Sequence, residues 1–413
     1  GLQKAPHPLH PEHKKQNRKP IVLSGDILKA SPTMQRRPAA ELLLLVLLIA
    51  ATTQVVVARR NSHSWMKQVP LKKLDKKSKL TGSGVAPDDH FSSQTKFIGK
   101  KESFASAFSK NAGDEFFSDE LAHKLSWDVV DADGTLYEAV LTPGTLAKMA
   151  DAGGKNRRRR RSKGPHAARR EQRQSPETSR AILGDDTRWN VPCGRESGNG
   201  ARSAGRLSTN LDSAYGGGCS ATLIGPRHVL TAGHCVHGGK DGDWIDSSYK
   251  FRPQQNCHST HAPLGTYSWS SIYSVKAWTE ESDLNYDYAL IILSEDVGTW
   301  SSFGWNDGFQ AETPIYIFGY PARDKLDYEM WLSTGSVSEA ESLVLYSGNI
   351  DTVPGNSGSG VLYWNNYLSL IAVHSGWVEF CHPDGTCVIR NREVRITKSR
   401  FEQICGWMNT DLC

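Results

Sequence analysis

Asp351-Thr352-Val353-Pro354-Gly355-Asn356-Ser357-Gly358-Ser359-Gly360 sets one serine among glycines. On a tight glycine-flanked turn Ser357 can be presented as a nucleophile. The N–H groups of Gly355 and Ser357 can then aim at one point, an oxyanion hole for acyl transfer. Glycine suits such a turn because backbone must approach substrate closely and adopt positive φ. Alone, the motif reads equally well as an ordinary Gly/Ser loop. Two partners upstream give it weight.

The first is His234, in Cys219-Ser220-Ala221-Thr222-Leu223-Ile224-Gly225-Pro226-Arg227-His228-Val229-Leu230-Thr231-Ala232-Gly233-His234-Cys235. A disulfide between Cys219 and Cys235 would hold the backbone beside His234, which a general base needs to keep its angle to a nucleophile. His228 and His237 read as structural. The second partner is Asp287, at the mouth of the apolar run Ala289-Leu290-Ile291-Ile292-Leu293. A carboxylate buried there needs a partner, and an imidazole N–H orients the ring while stabilising its charged form.

Residues 181–413 otherwise read as short apolar strands separated by Gly, Pro, Asn and Asp. Examples are 221–224, 289–293, 315–318, 360–363 and 370–373. The expectation is an all-β barrel or sandwich. One helix is expected over Lys398–Met408, with Phe401, Ile404 and Trp407 at helical spacing.

Histidine, aspartate and serine in this chain order resemble the trypsin/chymotrypsin superfamily. The matching motifs are Thr231-Ala232-Gly233-His234-Cys235, Asp287-Tyr288-Ala289-Leu290 and Gly355-Asn356-Ser357-Gly358. The resemblance covers 181–413. It implies a double antiparallel six-stranded β-barrel with the triad His234, Asp287 and Ser357 between the barrels. Within the superfamily the chain is most similar to glutamyl endopeptidases, V8-like and bacillus type. Phe318-Gly319-Tyr320-Pro321, Ala372-Val373-His374 and Arg395-Ile396-Thr397 carry that likeness. The tail through Cys405, Trp407 and Cys413 is also similar to a group of secreted animal serine proteases.

The resemblance places the specificity pocket by spacing from Ser357. Asp351 holds the position that gives trypsin its preference for Arg and Lys. Thr352 and His374 match the pocket residues of glutamate-preferring enzymes, and a hydroxyl and an imidazole can donate to a carboxylate. Bacillus-type members also resemble this chain in carrying Asp at position 351. The expectation is cleavage after Glu or Asp, the alternative cleavage after Arg or Lys. Asn356 stands where trypsin-like zymogens carry the Asp that pairs with a new amino terminus, so that ion pair is unavailable. Ser179-Arg180-Ala181-Ile182-Leu183 resembles the start of mature glutamyl endopeptidases, which implies cleavage after Arg180 and places the Ala181 amine near the pocket.

Charge divides the chain. Residues 181–413 hold 16 Lys+Arg and 26 Asp+Glu, a balance of 16 − 26 = −10, so the total of +5 leaves +15 for residues 1–180. All 8 cysteines lie from Cys193 onward, which suggests disulfides and an oxidising compartment. Eight cysteines allow 105 pairings, and Cys219–Cys235 alone is assigned. Cys381 with Cys387, Cys405 with Cys413, and the remaining Cys193 with Cys257 complete the arrangement that spacing suggests. His and Cys show no zinc-ligand spacing, and no metal or other cofactor is expected.

Residues 1–33 are basic, without apolar periodicity, and read as a disordered or untranslated extension. Residues 34–58 have a signal-peptide layout: Arg36 and Arg37, an apolar run from Leu42, and Ala58 as cleavage residue. Secretion without a membrane span in the mature form follows. Residues 59–180 read as a partly disordered pro-segment and basic processing linker. Phe104, Phe108, Phe116 and Phe117 suggest a helical patch, 129–141 a strand, and Arg157–Arg161 a site for an activating protease. Asp131-Ala132-Asp133-Gly134 lacks the later ligands of a calcium loop. The expected molecule is a monomeric secreted serine endopeptidase acting on proteins and peptides, made as a zymogen. A catalytically silent relative that binds partners through the same cleft is the competing reading. Nucleic-acid binding is disfavoured by the acidic second half and the lack of aromatics among the arginines.

Overall fold

Each of the five apolar runs above forms or lies within a β-strand, and the closing helix spans Lys398–Met408 as expected. The computed structural model describes residues 69–77, 118–146, 171–173 and 182–412, the last with gaps at 199, 306–308, 310, 323–324, 366, 382–383, 385 and 411. The extension, the signal segment, the four phenylalanines and the arginine run lie outside the described residues.

In chain order, β1 (Lys72–Lys77), α1 (Asp119–Leu125), β2 (Trp127–Asp131), β3 (Thr135–Ala139) and β4 (Glu171–Arg173) come first. β5 (Trp189–Asn190), β6 (Ala204–Ser208), β7 (Cys219–Gly225), β8 (His228–Thr231), β9 (Lys250–Pro253) and β10 (Trp269–Val275) follow. After the single turn α2 (Lys276–Thr279) come β11 (Ala289–Leu293), β12 (Ser302–Phe303), β13 (Pro314–Gly319), β14 (Trp331–Ala340) and β15 (Val344–Ser347). β16 (Gly360–Asn365), β17 (Tyr367–Cys381), β18 (Cys387–Arg395) and α3 (Lys398–Met408) close the chain.

Six antiparallel strands make the first barrel, in the order β9-β6-β7-β8-β11-β10. It closes where Phe251 of β9 and Tyr267, just before β10, exchange hydrogen bonds of 3.0 and 2.8 Å. The second barrel runs β13-β14-β15-β18-β17-β16 and returns to β13, antiparallel throughout. Closure removes free edges from the second ring; the first closes only at Phe251–Tyr267, which leaves the outer edge of β10 from Ser271 to Val275 for another strand. Leu223, Val229, Ile272 and Ile291, opposite one another in register, fill the first interior; Ile315, Ile317, Val337, Leu345 and Val361 fill the second.

α3 starts at Thr397, whose side chain accepts from Arg400 N, and stops at Asn409 in the left-handed conformation. It seals the first barrel: the Trp407 ring stacks on Tyr288 and Tyr273 at 5.9 and 5.8 Å. No helix among the described residues is long and apolar enough to cross a membrane.

Cys193–Cys257, Cys219–Cys235 and Cys381–Cys387 are disulfides. Cys405 is disulfide-bonded as well, and Cys413 lies outside the described residues.

The sheet of the first barrel does not stop at residue 181. The hairpin β2–β3 lies along β10, and β1 along β3. The turn from Asp131 to Gly134 joins the hairpin, with Asp133 Oδ1 accepting from Thr135 N at 2.8 Å.

Candidate active site

β8 ends at Thr231, and Gly233–Cys235 forms one 3-10 turn that carries His234. The Cys219–Cys235 bond ties this turn to the start of β7. A side chain at Gly233 would strike the Trp278 ring, and its Cβ would stand 3.1 Å from Asp287 Oδ1. Glycine therefore lets the carboxylate close on the turn. His234 N donates to Asp287 Oδ1, and His234 Nδ1 meets Asp287 Oδ2, both at 2.8 Å.

Asp287 follows a second 3-10 turn, Leu284–Tyr286, and is fully buried. Burial alone pushes its carboxyl pKa up. The His234 charge, hydrogen bonds from His234 and Ser375, and the Arg392 charge outweigh that and hold it below the usual value. The Ser375 hydroxyl donates to Asp287 Oδ2. Arg392 Nη2 donates to Ser375 Oγ at 2.7 Å. A buried relay thus runs from Arg392 through Ser375 and Asp287 to His234.

Ser357 sits on the turn between β15 and β16, with Gly355 at φ +95° and Gly358 at φ +81°. Both are left-handed positions that exclude other residues. A Cβ on Gly358 would collide with the Thr231 side chain and the Ser220 carbonyl, and would stand 3.1 Å from Ala232 N, two residues before His234. The Ser357 turn of the second barrel is thereby wedged against the His234 turn of the first. Asn356, Gly358 and Ser359 donate their N–H groups to Val353 O, His374 O and Asn356 O. Gly355 and Ser357 are the amides of this turn with no backbone acceptor among the described residues, as an oxyanion hole requires.

The four pocket expectations fare differently. Both oxygens of Asp351 are taken by the segment before it: Oδ1 accepts from Leu183 N at 2.7 Å, and Oδ2 from Thr187 N and Oγ1 at 2.8 and 2.7 Å. This carboxylate anchors 183–187. Thr352 Oγ1 donates to Asn391 Oδ1 at 2.6 Å, so its proton is directed away from any substrate. His374 Nδ1 lies 2.9 Å from Glu393 Oε2, with the two side chains 3% and 0% exposed. A buried carboxylate needs a donor, which assigns the proton to Nδ1 and leaves Nε2 as the other pole. Ala181 lies outside the described residues.

The sequence motifs do not single out Ser375, Arg392 or Glu393. Asn391-Arg392-Glu393-Val394-Arg395 is a charged run in a strand, and all five residues are buried. Charges at positions that should be apolar were the available signal.

His228 and His237 are structural. His237 Nδ1 accepts from Gly239 N at 3.1 Å, and its ring meets Trp244 at 4.7 Å. Burial pushes its pKa down to about 4 from an ordinary 6.5. The unfolded imidazole takes a proton below pH 6.5 and the folded one only near pH 4, so stability is lost as pH falls through that window. His237→Gln is expected to remove about 3 kcal/mol of the acid destabilisation at pH 4. Urea unfolding of both proteins at pH 7 and pH 4 checks this.

Three groups of His, Cys and acidic atoms lie close enough to share an ion: Cys219 with His234 and Cys235, Glu196 with Cys257 and His261, and Glu379 with Cys381 and Cys387. Every cysteine in them is a disulfide half. Metal binding at cysteine needs a thiolate, so these donor sets are not metal sites.

Residues 197–393 match the family model described as Trypsin. An "Extracellular metalloprotease" of Bacillus subtilis is 34% identical over 208 residues, covering 48% of this chain and 60% of that protein. This chain thus spans well under the full length of that relative. A "Glutamyl endopeptidase" of Bacillus licheniformis is 27% identical, covering 57% of this chain and 72% of its own. "Inactive serine protease 35" of Mus musculus is also 27% identical, covering 57% and 69%. A solved Glu endopeptidase in complex with MPD aligns at 25% identity and TM-score 0.46, covering 55% of this chain and all of that one. On the family match, the ordered motifs and the two barrels, residues 197–393 form a trypsin-family domain, similar to the glutamyl endopeptidases.

Proposed function

We propose that this protein is a secreted serine endopeptidase that cleaves after glutamate or aspartate and is released from a zymogen by a cut after Arg180. The observation that carries the hydrolase reading is the double clasp of Asp287 on the His234 turn, beside the glycine-bounded Ser357. Ser357 Oγ attacks the peptide carbonyl while His234 Nε2 takes its proton. Asp287 keeps the opposite proton on Nδ1 and stabilises the imidazolium. The carbonyl oxygen becomes an oxyanion held by the Gly355 and Ser357 amides. The proton on His234 passes to the leaving amine, and water, deprotonated by the same imidazole, releases the acyl group.

His374 supports the acidic preference. With Nδ1 committed to Glu393, its Nε2 is the atom to meet a substrate carboxylate. Asp351, engaged by Leu183 and Thr187, offers no free carboxylate to a basic side chain. Disulfides fit an oxidising compartment.

A relative named inactive makes a silent binding protein the second reading. A fluorophosphonate probe is expected to label the processed protein and not its Ser357→Ala form. Absence of labelling in both favours the silent reading. Matched peptides ending in Glu or Arg test the pocket, and faster turnover of the Arg peptide sinks the acidic assignment.

A further inference from the structure

We propose that the segment 118–146 is a permanent part of the protease domain, which stays docked as a noncovalent second chain after the basic linker is cut. The inference rests on the processing proposed above and concerns what happens to the piece released by it.

The docking is a continued sheet. β2 runs antiparallel to β10 through five consecutive pairs, from Ser271 opposite Asp131 to Val275 opposite Trp127. Backbone bonds extend the ladder at both ends: Ala132 N donates to Ser270 O at 2.9 Å, and Lys276 N to Ser126 O at 2.8 Å. Without the hairpin, this stretch of β10 would expose a row of unpaired N–H and C=O groups on a hydrophobic strand, which proteins avoid.

The side chains behave as one core. Trp127, Val129, Val130, Ala122 and Leu125 are buried in the same cluster as Ile272 and Trp407. The Trp127 ring lies 6.1 Å from that of Trp407 in an edge arrangement. Gln403 Nε2 of α3 donates to Leu125 O at 2.6 Å. A discardable cover has no need to share a core with the domain it leaves.

Charge pins the same face. Lys276, 10% exposed in its side chain, lies 3.4 Å from both Asp128 and Glu138 and 2.6 Å from Glu280. Thr279 Oγ1 donates to Asp128 at 2.6 Å. Lys124 reaches Asp283 at 3.6 Å. These contacts brace 276–283, the stretch that leads into Asp287. No cysteine lies before Cys193, so the attachment after cleavage is noncovalent, made of these contacts and, for a cut after Arg180, of β4 paired with β17.

The test uses the full chain carrying Ser357→Ala, with Arg157–Arg161 replaced by the recognition site of a sequence-specific protease. After cutting, size exclusion at about 10 µM and intact masses are measured. One peak holding both fragments in equal amounts is expected. Recovery of the C-terminal fragment without the N-terminal piece, folded or aggregated, overturns the proposal. In the cut protein, Trp127→Ala is expected to weaken retention at least about tenfold; retention unchanged by it overturns this interface. N-terminal sequencing of the naturally processed protein is separate. A start far from Ala181 sinks the processing site and leaves the retention result standing.

Discussion

Asp287→Asn lowers kcat about ten-thousand-fold while the protein stays folded. The reason is the number of donors converging on this carboxylate. Oδ1 receives the His234 backbone N–H, and Oδ2 faces His234 Nδ1 and the Ser375 hydroxyl. An asparagine supplies one oxygen and one NH2. With the oxygen toward the backbone amide, the NH2 faces the imidazole, which can accept it only through an unprotonated Nδ1. The ring proton then sits on Nε2, the atom that must take the proton of Ser357. Arg392 holds Ser375 in place and adds positive charge beneath the site. The carboxylate is therefore favoured electrostatically and does not itself take up the proton. Measured kcat on a peptide substrate, with thermal unfolding as the control, checks the result. A loss below tenfold in a folded variant contradicts the triad.

His374→Gln carries the second large effect, and it acts on stability and selectivity together. Glu393 is fully buried and His374 nearly so. Removing one member of a buried pair strands the other charge, at about 3–5 kcal/mol. The only other bond to the Glu393 carboxylate among the described residues comes from Ser347 Oγ, at 3.3 Å. The variant should unfold at markedly lower urea. The double variant His374→Gln with Glu393→Gln should recover most of the loss, since no charge is left unpaired. Selectivity should not recover in the double variant. A charge-assisted hydrogen bond to a substrate carboxylate is worth about 1.5–3 kcal/mol, so preference for Glu over Leu falls about 10- to 100-fold in both. Equal kcat/KM ratios in native and variant proteins contradict the role given to His374.

Much of the architecture was legible before any coordinates. The run 289–293 became β11 without change of boundary, because five consecutive apolar residues after a turn aspartate suit a strand buried in a barrel. The last helix also matched end for end, with Thr397 as cap and Asn409 as stop. Gly355 and Gly358 marked the Ser357 turn through a conformation that side chains exclude. Pocket chemistry was harder to read. Thr352 and Asp351 have the spacing from Ser357 on which the resemblance rests, yet what a hydroxyl or carboxylate binds depends on neighbours far along the chain, Asn391 for one and Leu183 for the other. No such spacing singles out Glu393 and Arg392, and charge in a strand ordinarily points to solvent.

The order of motifs, the strand pattern and the glycines were properties of local sequence, since turn conformations and apolar periodicity depend on residues close in the chain. Which charges are buried, what they face, and that residues 118–146 complete the sheet of the first barrel were decided only by tertiary structure. Register between strands more than a hundred residues apart arises from packing across the whole core, and no short stretch encodes it.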